Sequence, residues 1–209
     1  MKKEYQTPAD EKKYKCILID YLISENPGWN IAVEVPYFSG KRRVDLLAIT
    51  AQGQSIAFEI KSDVDSLDKL SAQVSDYQKA FDFLYLVVAR KFVSNKQIKK
   101  LPSTIGLIEI YNGNIIKLRN AKLNNPLKKY LVRFLWKNQM LKFGNKSEPI
   151  ETIRNRILHK LPKKEIHELA IRALLDRYTG RYELFLREKS ARTHPEDIDF
   201  LTKKNQSFF

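Results

Sequence analysis

VDLLAITAQGQSIAFEIKSD, residues 44–63, reads as two strands about a short turn. In the first, "RRVDLLAIT", both sides are apolar apart from Asp45, the pattern of a central strand. "AQGQ" supplies the turn. In the second, Ile56, Phe58 and Ile60 alternate with Ala57, Glu59 and Lys61, so Glu59 and Lys61 share a face. Strands joined this way pair with each other, which brings Asp45 within reach of the Glu59–Lys61 segment. A lone charge in an apolar strand is costly. Two carboxylates converging on one point repel unless a cation lies between them, and hard oxygen ligands suit Mg²⁺ or Mn²⁺. A lysine beside such a cation can orient or deprotonate a water, since burial and the cation both depress its pKa. Attack of a metal-bound water on phosphorus hydrolyses a phosphodiester. The plain alternative is an ordinary cross-strand ion pair on a solvated sheet.

Outward from this pair the pattern continues. Tyr14, Leu18, Tyr21 and Leu22 recur at helical spacing behind Thr7 as N-cap and Pro8, and Glu11 lies on the same stripe. "NIAVEVPY" alternates, with Glu34 opposite the apolar side. A helix from about Ser66 to Phe81 carries Leu67, Leu70, Val74, Tyr77 and Phe81, with Gln73 one turn before Tyr77. "FLYLVVA" is a buried strand. "SNKQIKKL" is a short helix capped by Ser94 with Gln97, and Asn112-Gly113 marks a hairpin. The order α-β-β-β-α-β, short helix, hairpin predicts an α/β core with a mixed sheet over residues 1–120. Residues 121–209 read as helical: one helix opened by Asn125-Pro126 and closed by Gly144, one capped by Ser147, and one ending near Gly180. The tail from about 190 reads as loose.

The 209 residues carry a net charge of +14. Residues 1–120 hold 18 Lys/Arg against 14 Asp/Glu, and residues 121–209 hold 20 against 10. That basic excess is the footprint of a nucleic-acid binder. A single cysteine, Cys16, excludes an internal disulfide and any multi-thiolate zinc cluster. The apolar runs are too short to span a bilayer and the charged N-terminus is unlike a signal peptide, so a cytoplasmic chain without a membrane partner is expected. The three histidines, His159, His167 and His194, read as surface or packing residues. Tyr130 and Trp136 read as helix core and rim rather than as a base-stacking platform. Lys41, Arg42 and Arg43 read equally as phosphate contacts or as a solvated turn.

"VDLLAI" followed by "FEIK" resembles the PD-(D/E)xK nuclease superfamily, the restriction-endonuclease-like fold, and "QVSDY" at 73–77 resembles the QxxxY motif of its RecB-like members. The wider pattern is similar to a group of uncharacterised bacterial and phage nuclease-like proteins in which a helical segment follows the core. Val44 stands where the Pro of "PD" would be. The resemblance implies an αβββαβ core and a Mg²⁺-dependent DNA endonuclease, with Mn²⁺ able to substitute. It assigns Asp45, Glu59 and the Ile60 carbonyl to the metal and Lys61 to the water. Glu11 becomes an accessory acid with Glu34 as second candidate, and Gln73 orients the site or touches the backbone phosphate, with support from Tyr77. DNA is the expected partner, whether duplex, branched or single-stranded, and a homodimer is left open. DNA processing, repair and phage or host defence all use this chemistry. The alternative is a catalytically silent nucleic-acid-binding or adaptor module on the same fold.

Overall fold

The computed structural model describes residues 10–38, 40 and 42–202. Eight helices and six strands follow one another: α1 Glu11–Glu25, β1 Asn30–Tyr37, β2 Arg42–Ile49, β3 Ser55–Lys61, α2 Leu70–Gln78, β4 Phe83–Ala89, α3 Arg90–Val93, α4 Lys96–Lys99, β5 Gly106–Tyr111, β6 Asn114–Arg119, α5 Lys128–Leu131, α6 Ile150–Lys160, α7 Lys163–Glu188 and α8 Pro195–Thr202.

The strands form one mixed sheet in sequential order. β1, β2 and β3 run as an antiparallel meander, β4 and β5 add in parallel, and β6 returns antiparallel. The reason lies in the connections. Residues 50–54 are a tight turn, with the Thr50 N–H on the Gln54 carbonyl at 2.9 Å and Gly53 at φ +74°, so β2 and β3 are forced antiparallel. The β3-to-β4 connection carries α2, and such a crossover returns the chain parallel. Asn112 and Gly113 both sit at positive φ, 51° and 77°, the geometry of a type I′ hairpin between β5 and β6.

The α/β class, the mixed sheet and the helical C-terminal region are therefore as the sequence led us to expect. Several boundaries differ. The expected cap at Thr7 lies outside the described residues; the described helix begins with Asp10, whose side chain accepts the Lys13 N–H. Helix α2 starts at Leu70 rather than near Ser66, because residues 62–69 close on their own side chains: Asp65 accepts from Ser62 and Asp68 from Ser66. Asn95, not Ser94, caps α4. The helix expected over 126–144 breaks after α5 into short 3-10 segments, since Leu135 is extended. Pro149 rather than Ser147 precedes α6. Helix α7 runs straight through Gly180, held by Tyr182 and Phe185, which are buried beyond it.

The tail expected to be loose from about 190 is not loose as far as Thr202. Thr193 donates to Asp20, Lys12 pairs with Asp199 at 2.6 Å, and Ile198 and Leu201 of α8 are buried. The helical region also closes the sheet: α7 and α8 lie along the edge strand β1. His167 of α7 donates to Asp82 at 2.8 Å, and the same buried carboxylate accepts from the Ser55 N–H and Oγ. His167 is thus a tie between the helical region and the sheet.

Candidate carboxylate site at the open end of two strands

Strands β2 and β3 pair from Ile49↔Ser55 to Leu46↔Phe58, where the ladder stops. The next residues along are Asp45 and Glu59. Instead of a carbonyl, the Asp45 carboxylate accepts the Ile60 N–H at 2.7 Å. In an extended residue N–H and C=O point to the same edge, so the Ile60 carbonyl also faces this gap. On the other side of β2, Val33↔Leu46 and Val35↔Val44 pair normally, but between them Glu34 has φ +53°. A non-glycine residue in the left-handed region within a strand is strained, and such strain gathers at functional sites.

Helix α1 brings its first turn to the same place. Carboxylate oxygens of Glu11, Glu34 and Asp45 lie within 4.8 Å of one another. Lys15, 3% exposed, sits among them, 2.5 Å from Glu11 and in contact with Glu34. Burial pushes the Lys15 ammonium toward deprotonation, but hydrogen bonds to Glu11 and Glu34 outweigh this and raise its pKa. Sequence reading missed Lys15. The signal was there, a Glu11-to-Lys15 i,i+4 spacing on a helix face, hidden by the apolar stripe around it.

Helix α2 serves Glu59. Gln73 Nε2 donates to Glu59 Oε1 at 2.5 Å and the Tyr77 hydroxyl to Oε2 at 2.5 Å. Lys61 lies 2.6 Å from Oε1. Glu59 is 1% exposed, so these three donors replace its water. Gln73 Oε1 is buried without a hydrogen-bond partner. Thus Gln73, Tyr77 and Lys61 meet at Glu59, while the acids grouped around Asp45 are Glu11 and Glu34.

Charge sets the behaviour of the site. Three carboxylates, those of Glu11, Glu34 and Asp45, converge and Glu59 acts on Asp45 through its charge; the cations among them are Lys15 and Lys61, with the exposed Arg43 bonding Glu34 from outside at 3.1 Å. Burial first, then the charges of Glu59 and Glu11, push the Asp45 carboxyl well above the usual carboxylate range, although the Ile60 N–H opposes this. For Lys61 the expected depression is reversed: burial lowers it, but Glu59 and Asp45 raise it above the ordinary lysine value. In this arrangement Lys61 is an ammonium, which donates and does not abstract. Of the basic run before β2, Lys41 lies outside the described residues, Arg42 pairs with Asp76 at 3.1 Å and Arg43 with Glu34. Both arginines lie at the start of β2 with exposed side chains. Asp63, beyond Lys61, accepts from Tyr14 and belongs to the loop. Trp136 is no core residue, being 53% exposed.

Fold and site together define an α/β protein with a mixed six-stranded sheet and a strained, acid-lined opening between two strands. The chain belongs to the bacteriophage P4 protein cII family, whose model matches residues 4–202. Protein cII of Enterobacteria phage P4 itself is 28% identical over 189 residues, covering 84% of this chain and 70% of its own. Among solved structures, a protein of unknown function from Silicibacter pomeroyi is 19% identical, with a TM-score of 0.39 over 51% of this chain and 67% of its own. Among the described residues, no helix is long and apolar enough to cross a membrane.

Proposed function

We propose that this protein is a metal-dependent phosphodiester hydrolase, a DNA endonuclease on a restriction-endonuclease-like αβββαβ core. The observation that carries the reading is the excess of carboxylate at the end of β2 and β3. Asp45 is held in a half-buried setting beside other acids that penalises its charge, and a divalent cation is what relieves such a penalty. The donor set fits Mg²⁺ or Mn²⁺: hard carboxylate oxygens of Asp45, Glu11 and Glu34, with the Ile60 carbonyl facing the same gap. When bound, the cation supplies a water of lowered pKa and takes up charge on the phosphate.

The chain's own residues do the rest. Asp45 is held in place by the Ile60 N–H, so its second oxygen is left for the cation. Gln73 and Tyr77 fix Glu59, and Glu59 fixes the Lys61 ammonium beside the gap. From there Lys61 orients the attacking water and neutralises charge as it develops on the phosphoryl oxygens. Purified protein with plasmid DNA and Mg²⁺ tests the reading. Cleavage is expected, and Asp45→Ala or Lys61→Ala should reduce it by about a hundredfold or more. If no DNA form is cut, or both variants cut like wild type, the reading fails.

A second reading rests on one specific observation. Lys15 already lies between Glu11 and Glu34, and Lys61 already pairs with Glu59, so amines neutralise much of the site. That favours a nucleic-acid-binding module that does no chemistry. DNA binding unaffected by EDTA and by Asp45→Asn, with no cleavage, would select it.

A further inference from the structure

Residues 110–147 contain nine Lys/Arg and no Asp/Glu. In the middle of this run stands the exposed Trp136. Its indole is braced on one side. The Arg177 guanidinium, from α7, lies 3.9 Å from the ring centroid and donates to the Phe134 carbonyl at 2.8 Å. The Trp136 backbone N–H donates to Gln139 Oε1 at 3.0 Å. In the same run Tyr130 stacks on Phe38 with centroids 5.1 Å apart, and the Arg133 guanidinium lies 5.3 Å from the Phe38 ring and 3.5 Å from the Glu151 carboxylate. Lys128 and Lys137 donate to the main-chain carbonyls of Leu158 and Lys146, contacts that neutralise no charge.

This segment is fixed to the carboxylate site. Phe134 packs on Phe81 at 5.5 Å between centroids, Phe81 lies 6.1 Å from Tyr77, and Tyr77 holds Glu59. Placing a tryptophan in water costs free energy, and a guanidinium stacked on it fixes the ring's orientation. Acids do reach this segment, Glu151 at 3.5 Å from Arg133 and Asp176 at 3.4 Å from Gln139 Nε2, but the side-chain hydrogen bonds of Lys128 and Lys137 go to carbonyls, and a braced indole beside such lysines matches one ligand chemistry. Phosphates satisfy the cations, and an unpaired base stacks on the open ring face. Duplex bases already stack on each other and offer no such face.

We infer that residues 128–143 bind single-stranded nucleic acid, with Trp136 stacking an unpaired base and the lysines following the backbone. This rests on the hydrolase reading only in naming the form of its substrate, since binding is measurable without turnover. The test uses the full chain in EDTA with a labelled oligothymidylate. The chain has two tryptophans, so a Trp29→Phe background leaves Trp136 as the indole reporter. Its fluorescence should be quenched on binding, and affinity should fall with added salt. A duplex of equal length should bind about tenfold more weakly. Trp136→Ala should cost roughly tenfold in affinity, while Trp136→Phe keeps most of it. An unquenched indole, equal duplex binding or an unaffected Trp136→Ala variant overturns the inference. So does a Trp136→Ala variant that loses self-association in sedimentation but not oligonucleotide affinity. Because no metal is present, failure here leaves the Asp45 cleavage test untouched, and a chain that binds but does not cut fails only the hydrolase reading.

Discussion

Asp45 is the residue at which function and stability pull apart. Its carboxylate is needed for one hydrogen bond, to Ile60, and an amide oxygen could make the same bond. Its charge, by contrast, is opposed by burial and by Glu59 and Glu11. Asp45→Asn should therefore stabilise the chain while removing the metal-dependent cleavage proposed for it. The gain expected is about 1 kcal/mol, or about 2–4 °C in Tm for a chain of this size, read by thermal melting in EDTA. At this scale much of the site was legible. Asp45 stood out because nothing around it in "VDLLAI" could pair with it, and Gln73 and Tyr77 stood one turn apart, though that both meet Glu59 is seen only in the fold. The acids that group with Asp45 were harder to read. That Glu34 turns into the gap depends on its left-handed backbone, and no local residue type announces φ +53° at a glutamate in a strand. Lys15 was hidden for a related reason: a buried lysine is costly alone, and only the folded chain shows the two acids that make it tolerable.

Among the elements, the β4–β5 contact is closely fitted. Gly106 faces Tyr85 across the parallel pair, and a Cβ there would meet the Tyr85 ring at 2.2 Å and the Ala121 nitrogen at 2.9 Å. Tyr85 itself stacks on Phe58 at 5.5 Å, so its ring has little room to withdraw. Gly106→Ala should cost about 2–3 kcal/mol, measurable by urea unfolding. The tie between α7 and the sheet makes a separate prediction. Burial alone would raise the Asp82 carboxyl, but His167 and Ser55 hold it below its ordinary value. A depressed carboxylate contributes its stability above the ordinary carboxylate value and loses it as pH falls through the folded one. His167→Ala should lower neutral-pH stability by about 2 kcal/mol. The Tm gap between variant and wild type should narrow below about pH 4. Element types were readable from periodicity and from the Asn112-Gly113 turn. Helix ends were not, because Gly180 stays helical through burial of residues beyond it, a tertiary effect that no cap signal carries.

For the molecule as a whole, composition suggested a core ending near 120 followed by a basic appendage. The contacts describe a tighter union. Phe134 packs on Phe81, His167 holds Asp82, and α7 and α8 cover the β1 edge. A chain truncated after residue 120 would expose an edge strand and the apolar residues beneath α7, and exposed edges invite association. Such a truncation should be insoluble or lack a cooperative melt, checked by expression and calorimetry. A soluble, cooperatively melting fragment would show that the two parts are independent domains.

The clasp between the first and last described helices has a consequence in time. Lys12 reaches Asp199 and Asp20 reaches Thr193, contacts spanning 187 and 173 positions. Helix α1 is synthesised before every strand of the sheet, yet α8, which pins it, follows them all. Glu11 and Lys15 ride on α1, so the acid cluster is pinned in place only once α8 has been made. An interrupted translation product would carry Asp45, Glu59 and Lys61 on a sheet whose first helix is still unclamped, and so without a finished site. The place of Glu11 and Lys15 on the sheet is thus tied to a helix that follows them by 187 positions at the Lys12–Asp199 contact.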